Sequence, residues 1–438
     1  MSKLKKLFIF LGDIVILYGS LALTLFIRYQ GGEFVDRFKA HFWPFTIIFI
    51  LWILVLYLFN LYRYKFGVKE EILKDVFLAT LVSGFLSVTA FYLFPEFFEL
   101  TPKTNLALFA LIFLGLKYGW QRLILCNIFP SGAEKVLILG NSPLIQEVVD
   151  NVEDKPQIGY KVSRWFKDIK KVNFEDLPRI VKEDDIHTIV IKNGLEEKEK
   201  ITKLIYDLLL HEVNVVNFWS FYEMVFEKVP LEELEEGWFI ENITTHRPFY
   251  EKTKRFIDVL FSVVSIVVFS PFFVLSGLLI KLTSKGKIIY KSKRMGEDNK
   301  SFVLYKFRTM YDGQDGPLWT KKNDTRITPI GRLLRKTHLD ELPQLINILK
   351  GDISVIGPRP ERVELAERFN NLPYYDIRHI IKPGLTGWAQ INYQPSASMK
   401  EAMEKLAFDV YYIKNRSVIL DLTIIIRTIR YFFTTNRK

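Results

Sequence analysis

The chain has 438 residues, of which 49% are hydrophobic and 15% aromatic, a composition that excludes an intrinsically disordered protein. Lys and Arg number 60 against 49 Asp and Glu, a formal charge of +11. Such an excess serves nucleic acid, an anionic membrane surface or a phosphorylated substrate, and the apolar runs below favour the last two over nucleic acid. The only cysteine, Cys126, excludes an intramolecular disulfide and a Cys-based metal site.

Four apolar runs come first, at about 7–28, 42–61, 72–94 and 104–126, each near the ~20 residues that cross a hydrocarbon core. The first is too long for a cleaved signal and lacks a small-residue cleavage site, so it reads as a retained span. Lys3, Lys5 and Lys6 precede it; Arg63, Lys65, Lys69 and Lys74 follow the second run; the connection at 95–103 is acidic, with Glu96 and Glu99. The positive-inside rule then puts the N terminus, the second connection and the end of the fourth run on the cytoplasmic side. Arg28, Arg37 and Lys39 in the first connection run against that assignment. Lys117, inside the fourth run, has to snorkel or face a partner helix.

From about residue 132 the pattern becomes that of an α/β domain. VLILG (136–140), TIVIK (188–192) and VNVVNF (213–218) read as strands, with helices over 143–152 and 196–211. The alternation predicts a small parallel sheet, Rossmann-like in layout. A dinucleotide site needs G-x-G-x-x-G after the first strand. Here the turn is Gly140-Asn141-Ser142-Pro143, so a regulatory or spacer role is the better reading than NAD binding.

A fifth apolar run covers 256–280. Lys252, Lys254 and Arg255 precede it, and Lys281, Lys285, Lys287, Lys291, Lys293 and Arg294 follow; both ends ask for the same side. Ser270-Pro271 sits near its middle, and proline removes a helix hydrogen bond there. A helix broken at that point enters one leaflet and turns back, provided protein groups or Ser270 satisfy the released backbone. The competing reading is an ordinary Pro-kinked span, which would carry residues 281–438 to the opposite side.

The remaining segment carries Tyr290-Lys291-Ser292, Arg294-Met295-Gly296, YKFRTM (305–310), DTRITPIGRLLRKTHLDELPQLINILKGD (324–352), VIGPRPE (355–361) and KPGLTGWAQI (382–391). Asp340 reads as the N-cap of a short amphipathic helix over 340–350, with Glu341 and Pro343 in its first turn and Gly351 at its end. By themselves the two carboxylates are a capping device. Arg332, Arg335 and Lys336 just upstream, together with a helix N terminus, are what an anionic ligand needs beside a carboxylate. Asp324 and Arg326 can pair locally, and His338 reads as a solvated helix-end histidine. No two histidines have ligand spacing for zinc.

On these motifs the chain resembles a large-form monotopic phosphoglycosyl transferase, a polyprenyl-phosphate hexose-1-phosphate transferase of the bacterial sugar transferases. The resemblance is specific over 254–391 and architectural before that. It implies a membrane α plus α/β protein: a four-helix transmembrane bundle (1–130), a degenerate nucleotide-fold domain (131–250), and a mixed α/β catalytic domain (251–438) with a re-entrant helix at about 254–281. It also implies that Asp340 is the nucleophile, Glu341 the metal-associated glutamate holding Mg²⁺, and Arg335 a phosphate contact. The Pro358-Arg359-Pro360 loop would lie near the nucleotide. Lys306 and Arg308 match a motif of substrate-binding segments in which spacing assigns no individual roles. Lys254, Arg255 and Asp258 match the pattern at the membrane end of the re-entrant helix, where the two cations would anchor it or attract the lipid phosphate. Asp258 in an apolar run is expensive unless paired, and a nearby arginine is the expected partner. Tyr412, Ser417 and Asp421 fall at the family's spacing, and a helix with Arg427 and Arg430 would lie on the membrane.

The expected reaction is transfer of hexose 1-phosphate from a UDP-hexose, such as UDP-glucose or UDP-galactose, to undecaprenyl phosphate. Its setting would be the bacterial cytoplasmic membrane, with the catalytic domain facing the cytoplasm, and relatives imply a homodimer. Two alternatives remain at this point. One is a membrane-anchored nucleotide-sugar-modifying enzyme working in the nucleotide fold, which would need an intact glycine loop and a Tyr-x-x-x-Lys. The other is a non-enzymatic polysaccharide-export scaffold, which leaves the DEL, PRP and PGLTGW motifs without a purpose.

Overall fold

The computed structural model describes residues 3–29, 33–59, 61, 69–98, 103–123, 133–155, 158–192, 194, 213–311, 324–393 and 398–435. The chain divides into two units, Met1–Val225 and Phe226–Lys438. The expected helix at 196–211, the basic residues Arg63 and Lys65, and the side chain of Arg430 lie outside the described residues.

The first unit begins with α1 (Lys3–Arg28), α2 (Glu33–Leu58), α3 (Lys69–Leu93) and α4 (Lys103–Leu123). All four are long and apolar enough to cross a membrane. α2 starts well before its apolar run, because Glu33 and Asp36 complement the positive end of the helix dipole. Leu17, Leu21, Phe45, Trp52, Phe109 and Phe113 pack the bundle centre. Several polar groups inside it are paired, which lipid favours. Trp52 Nε1 donates to Ser87 Oγ at 2.8 Å, and Arg28 Nη1 donates to Asn105 Oδ1 at 2.6 Å. Lys117 takes the partner-helix option: its Nζ donates to both Asp13 oxygens at 2.6 and 2.8 Å, with neither side chain exposed.

The same unit then forms a four-stranded parallel sheet in the order β2-β1-β3-β4. The strands are β1 (Glu134–Leu139), β2 (Tyr160–Phe166), β3 (Thr188–Ile191) and β4 (Asn214–Asn217). Strand β2 carries Lys161 and Arg164 at a sheet edge, which hides it from a hydrophobicity reading. Helix α5 (Pro143–Asp154) is capped by Ser142, whose Oγ accepts from Ile145 N at 3.2 Å. The turn after β1 is tied to the protein itself: Trp165 Nε1 donates to Gly140 O at 2.7 Å and Lys192 Nζ to Asn141 O at 2.9 Å.

In the second unit, α6 (Pro248–Val268) and α7 (Ser270–Thr283) form a pair bent by 62°. Ser270 Oγ donates to Val267 O at 2.8 Å, so the serine does satisfy backbone released at the break. The pair is polar inside and apolar outside. Asp258, Ser262, Ser265 and Ser276 are buried, whereas Phe256, Val267, Val274 and Leu282 are each more than half exposed. Asp258 accepts from the backbone N–H of Val355 at 3.0 Å rather than from an arginine.

Beyond this pair, β5 (Ile289–Met295) and β6 (Ser301–Phe307) form an antiparallel ladder. Strands β7 (Ser354–Ile356) and β8 (Gly384–Thr386) pair in parallel. Three glycines let this parallel pair and its loops close: a Cβ at Gly357, Gly384 or Gly387 would run into backbone atoms of 357 or 382–384. Gly384→Ala is therefore expected to lower stability by about 3 kcal/mol through overpacking. Gly237→Ala, in the helix Glu236–Asn242 with open space around it, should leave stability unchanged or raise it. Thermal unfolding in detergent reads both.

Two helices complete the unit, α8 (Met399–Asn415) and α9 (Val418–Thr435). Ser398 and Glu401 form a capping box at the start of α8. Arg427 turns toward the protein, pairing with Glu227 at 3.0 Å and lying 4.6 Å from the Trp388 ring.

Candidate active site

The helix Pro329–Thr337, capped by Thr328, ends at His338, which has φ 57°. A 3-10 turn, Leu339–Glu341, follows, and the next helix spans only Gln344–Lys350, ending at Gly351 with φ 88°. The expected helix over 340–350 thus begins later, and Asp340 caps nothing. Pro343 has no N–H to bond Leu339 O, so the chain tightens into i→i−3 bonds, Leu342 N to Leu339 O and Leu345 N to Leu342 O. Asn347 fastens the short helix to β6: its Oδ1 accepts from Tyr305 N at 3.0 Å and its Nδ2 donates to Val303 O at 2.7 Å.

This arrangement gives the two neighbouring carboxylates opposite surroundings. Glu341 Oε1 accepts from Lys306 Nζ at 2.6 Å and from Arg359 Nη2 at 3.3 Å. Burial alone would raise its pKa, but the Arg359 and Lys306 cations win and hold it at about 2. Asp340 is also buried, yet among the described residues no hydrogen bond reaches its carboxylate. Burial and the Glu341 charge push its pKa up, against the pull of Lys306 and Arg335. Arg335 Nε donates to Thr309 Oγ1 at 2.8 Å, which fixes that guanidinium.

The Pro358-Arg359-Pro360 loop is held through its carbonyls. Pro358 O accepts from Gly384 N at 2.8 Å, Arg359 O from Arg378 Nη2 at 2.9 Å, Pro360 O from Arg294 Nη1 at 3.2 Å and Glu361 O from Met295 N at 2.9 Å. Burial and the neighbouring Arg359 and Arg362 charges push the Arg294 guanidinium down to about 10.

The structure therefore gathers Asp340, Glu341, Lys306, Arg335 and Arg359, with Pro358 and Pro360 flanking the last. Arg308, Lys254 and Arg255 have other contacts. Arg308 Nη2 donates to Ser284 O and Oγ at 3.0 and 2.8 Å. Lys254 Nζ donates to Asp421 Oδ2 at 2.9 Å, and Asp421 also accepts from Tyr250 and Tyr412. Arg255 donates to Ile348 O and Leu349 O at 2.6 and 2.7 Å, capping the helix behind the carboxylates. Asp324 and Arg326 pair locally at 2.7 Å. Ser270 and Pro271 stand at the helix break. Sequence reasoning gave no role to Asn347 or Arg378. Their only signal is that they are polar residues inside apolar or motif-dense stretches.

Among the described residues no group of three or more His, Cys, Asp or Glu could cage a metal ion. Mg²⁺ needs no such cage, since it keeps several waters and takes one or two protein carboxylates together with substrate phosphates.

Clustered lysine and arginine around two adjacent carboxylates, one of them without a hydrogen bond among the described residues, form a candidate anion-handling site with a candidate nucleophile. Residues 249–435 match the bacterial sugar transferase family. The chain is 42% identical over 190 residues to the UDP-N-acetylgalactosamine-undecaprenyl-phosphate N-acetylgalactosaminephosphotransferase of Aeromonas hydrophila (43% of this chain, 45% of that one). It is 30% identical over 308 residues to the UDP-glucose:undecaprenyl-phosphate glucose-1-phosphate transferase of Escherichia coli (67% and 66%). It is 40% identical over 185 residues to the exopolysaccharide production protein PSS of Rhizobium leguminosarum (40% and 92%). The match spans under half of the first relative and just under two thirds of the second. Residues 249–435 thus form a bacterial sugar transferase domain.

Proposed function

We propose that the protein transfers hexose 1-phosphate from a UDP-hexose to undecaprenyl phosphate, through a phospho-sugar carried on Asp340. The observation that carries this reading is the contrast within the carboxylate pair. Glu341 is locked by Lys306 and Arg359, whereas Asp340, one residue away, is buried without a hydrogen bond on its carboxylate among the described residues. Of the two, the carboxylate not tied up by cations is the better nucleophile. An Asp340 oxygen attacks the sugar-proximal phosphorus, the bond from that phosphorus to the bridging oxygen breaks, and UMP leaves. A phosphate oxygen of undecaprenyl phosphate then attacks the same phosphorus, expels the Asp340 carboxylate and yields undecaprenyl-diphosphate-hexose.

Arg335 and Arg359 screen the donor's phosphates from the two carboxylates, as planar forks suited to phosphate oxygens. Glu341 orients Lys306 and Arg359 and supplies a ligand for Mg²⁺, which when bound neutralises diphosphate charge. Lys254 and Arg255 stand at the basic end of α6, and the outward-apolar, inward-polar α6–α7 pair suits insertion into one leaflet. In this reading the pair is re-entrant, the catalytic unit faces the cytoplasm of a bacterial inner membrane, and the protein works as a homodimer.

Membranes containing the protein, given Mg²⁺, undecaprenyl phosphate and UDP-sugars labelled on the sugar-proximal phosphate, test the reading. Label in lipid with release of UMP is the expected result; release of UDP would sink it. The names of the relatives divide between glucose and N-acetylgalactosamine, so the donor panel includes UDP-glucose, UDP-galactose and UDP-N-acetylgalactosamine, with a hexose expected.

A pH dependence follows from the raised Asp340 pKa. Only the ionised form attacks, so a raised pKa leaves less nucleophile at any acidic pH. Covalent labelling in a single turnover should fall about tenfold per pH unit below that pKa, with its midpoint above the ordinary aspartate range. A midpoint at or below that range would contradict the assignment.

A further inference from the structure

Four consecutive carbonyls, from Pro358 to Glu361, all accept hydrogen bonds. One of the donors is unlike the others. Arg378 is 4% exposed and reaches Arg359 O from inside a buried cluster. Its Nη1 donates to Tyr375 OH at 2.9 Å, and its guanidinium lies 3.1 Å from Asp409 and 3.7 Å from Glu361. Glu361 is also paired with Lys405. Lys405 and Asp409 stand one turn apart on α8, so both meet this cluster from one helix face.

The cluster contains two cations and two carboxylates, which makes burying all four tolerable. It sits behind the loop rather than beside Asp340, so it carries no chemistry of its own. Its contact with the site is the bond to the carbonyl of Arg359, the residue whose guanidinium faces Glu341. A long arginine held only at its tip loses rotamer freedom when a ligand arrives; one whose backbone is already fixed loses less.

We propose that Arg378 is a positioning residue: by gripping the Arg359 carbonyl from within this neutral cluster, it presents the Arg359 guanidinium to the phosphate of the uridine nucleotide. The inference rests on the proposed phosphoglycosyl transfer, in which Arg359 meets that phosphate.

The test is a double-mutant cycle on the full-length protein in detergent, read as UMP affinity by calorimetry. Arg378→Lys keeps the charge and loses the fork. In the wild-type background it should weaken UMP binding about tenfold, the scale of one hydrogen bond to a charged group. In the Arg359→Ala background the same substitution should change affinity less than about twofold, because the effect travels through Arg359. An equal loss in both backgrounds, or unchanged affinity with only a lower Tm, overturns the proposal and leaves the cluster a structural one. If Arg378→Lys does not fold, Tyr375→Phe, which removes one acceptor from Arg378 and keeps the ring, is read through the same cycle with a smaller coupling of the same sign. Wild-type protein that binds no UMP would instead overturn the functional reading itself, and this inference with it.

Discussion

Asp340→Asn should lower covalent labelling by sugar phosphate at least about 10⁴-fold, the scale of removing a nucleophile, while the variant stays folded and keeps its affinity for UMP. Stability should move in the other direction. The folded-state pKa of Asp340 is raised by burial and by the Glu341 charge, so the folded protein binds its proton more tightly than the unfolded chain does. A group shifted that way favours folding at low pH and loses that contribution as pH rises through its folded pKa. At neutral pH the ionised carboxylate is a cost to the fold, and the isosteric amide removes it. The variant should therefore melt at or above the wild-type temperature, the signature of a group kept for chemistry at the expense of stability. Persistent labelling would mean another nucleophile, and a large drop in Tm would mean that Asp340 is part of the framework.

Glu341→Gln should behave in the opposite way. The wild-type carboxylate stands between Lys306 and Arg359. The amide leaves two cations facing each other in a largely buried place, with an expected loss of about 3 kcal/mol. Transfer activity should fall with it, because Arg359 and Lys306 lose the anion that aims them. The sign with pH follows from the pKa held at about 2. The stabilisation from Glu341 is present above the unfolded carboxyl value and is lost only as pH falls through about 2. Across any working range, then, the difference in Tm between Glu341→Gln and wild type should be flat with pH, whereas that of Asp340→Asn should shrink in acid. Adding Lys306→Met to Glu341→Gln should recover part of the lost stability; a double variant no better than the single one would refute the buried-pair account.

The two substitutions differ because of features that a linear pattern conveys unevenly. The adjacency of Asp340 and Glu341, the basic residues upstream and the stiff Pro358-Arg359-Pro360 loop are local, and local spacing is what sequence reasoning reads. The apolar runs and the strands around 136–140 and 188–192 were legible for the same reason: burial on both faces leaves an unbroken hydrophobic run. Legibility failed where a contact joins distant segments. Nothing in the neighbourhood of Arg378 says that it will meet Arg359, Glu361 and Asp409. Asn347, in the middle of QLINILK, looks like an interruption until its amide is seen stitching that helix to β6. Pro343 suits the first turn of a helix, but its missing donor delays the helix and leaves Asp340 in a tight turn. Nor does local spacing show that Lys254 and Arg255 fasten α6 to Asp421 and to the C-terminal carbonyls behind the carboxylates.

The reversed polarity of the α6–α7 pair also bears on handling the protein. Serines and an aspartate fill its inner seam while phenylalanines, valines and leucines coat the outside, so deleting the four N-terminal helices would not yield a water-soluble fragment. A shortened chain beginning near residue 226 would still demand detergent or nanodisc at every purification step, and aggregation of such a fragment in plain buffer would report exposed grease on this helix pair rather than a misfolded enzyme.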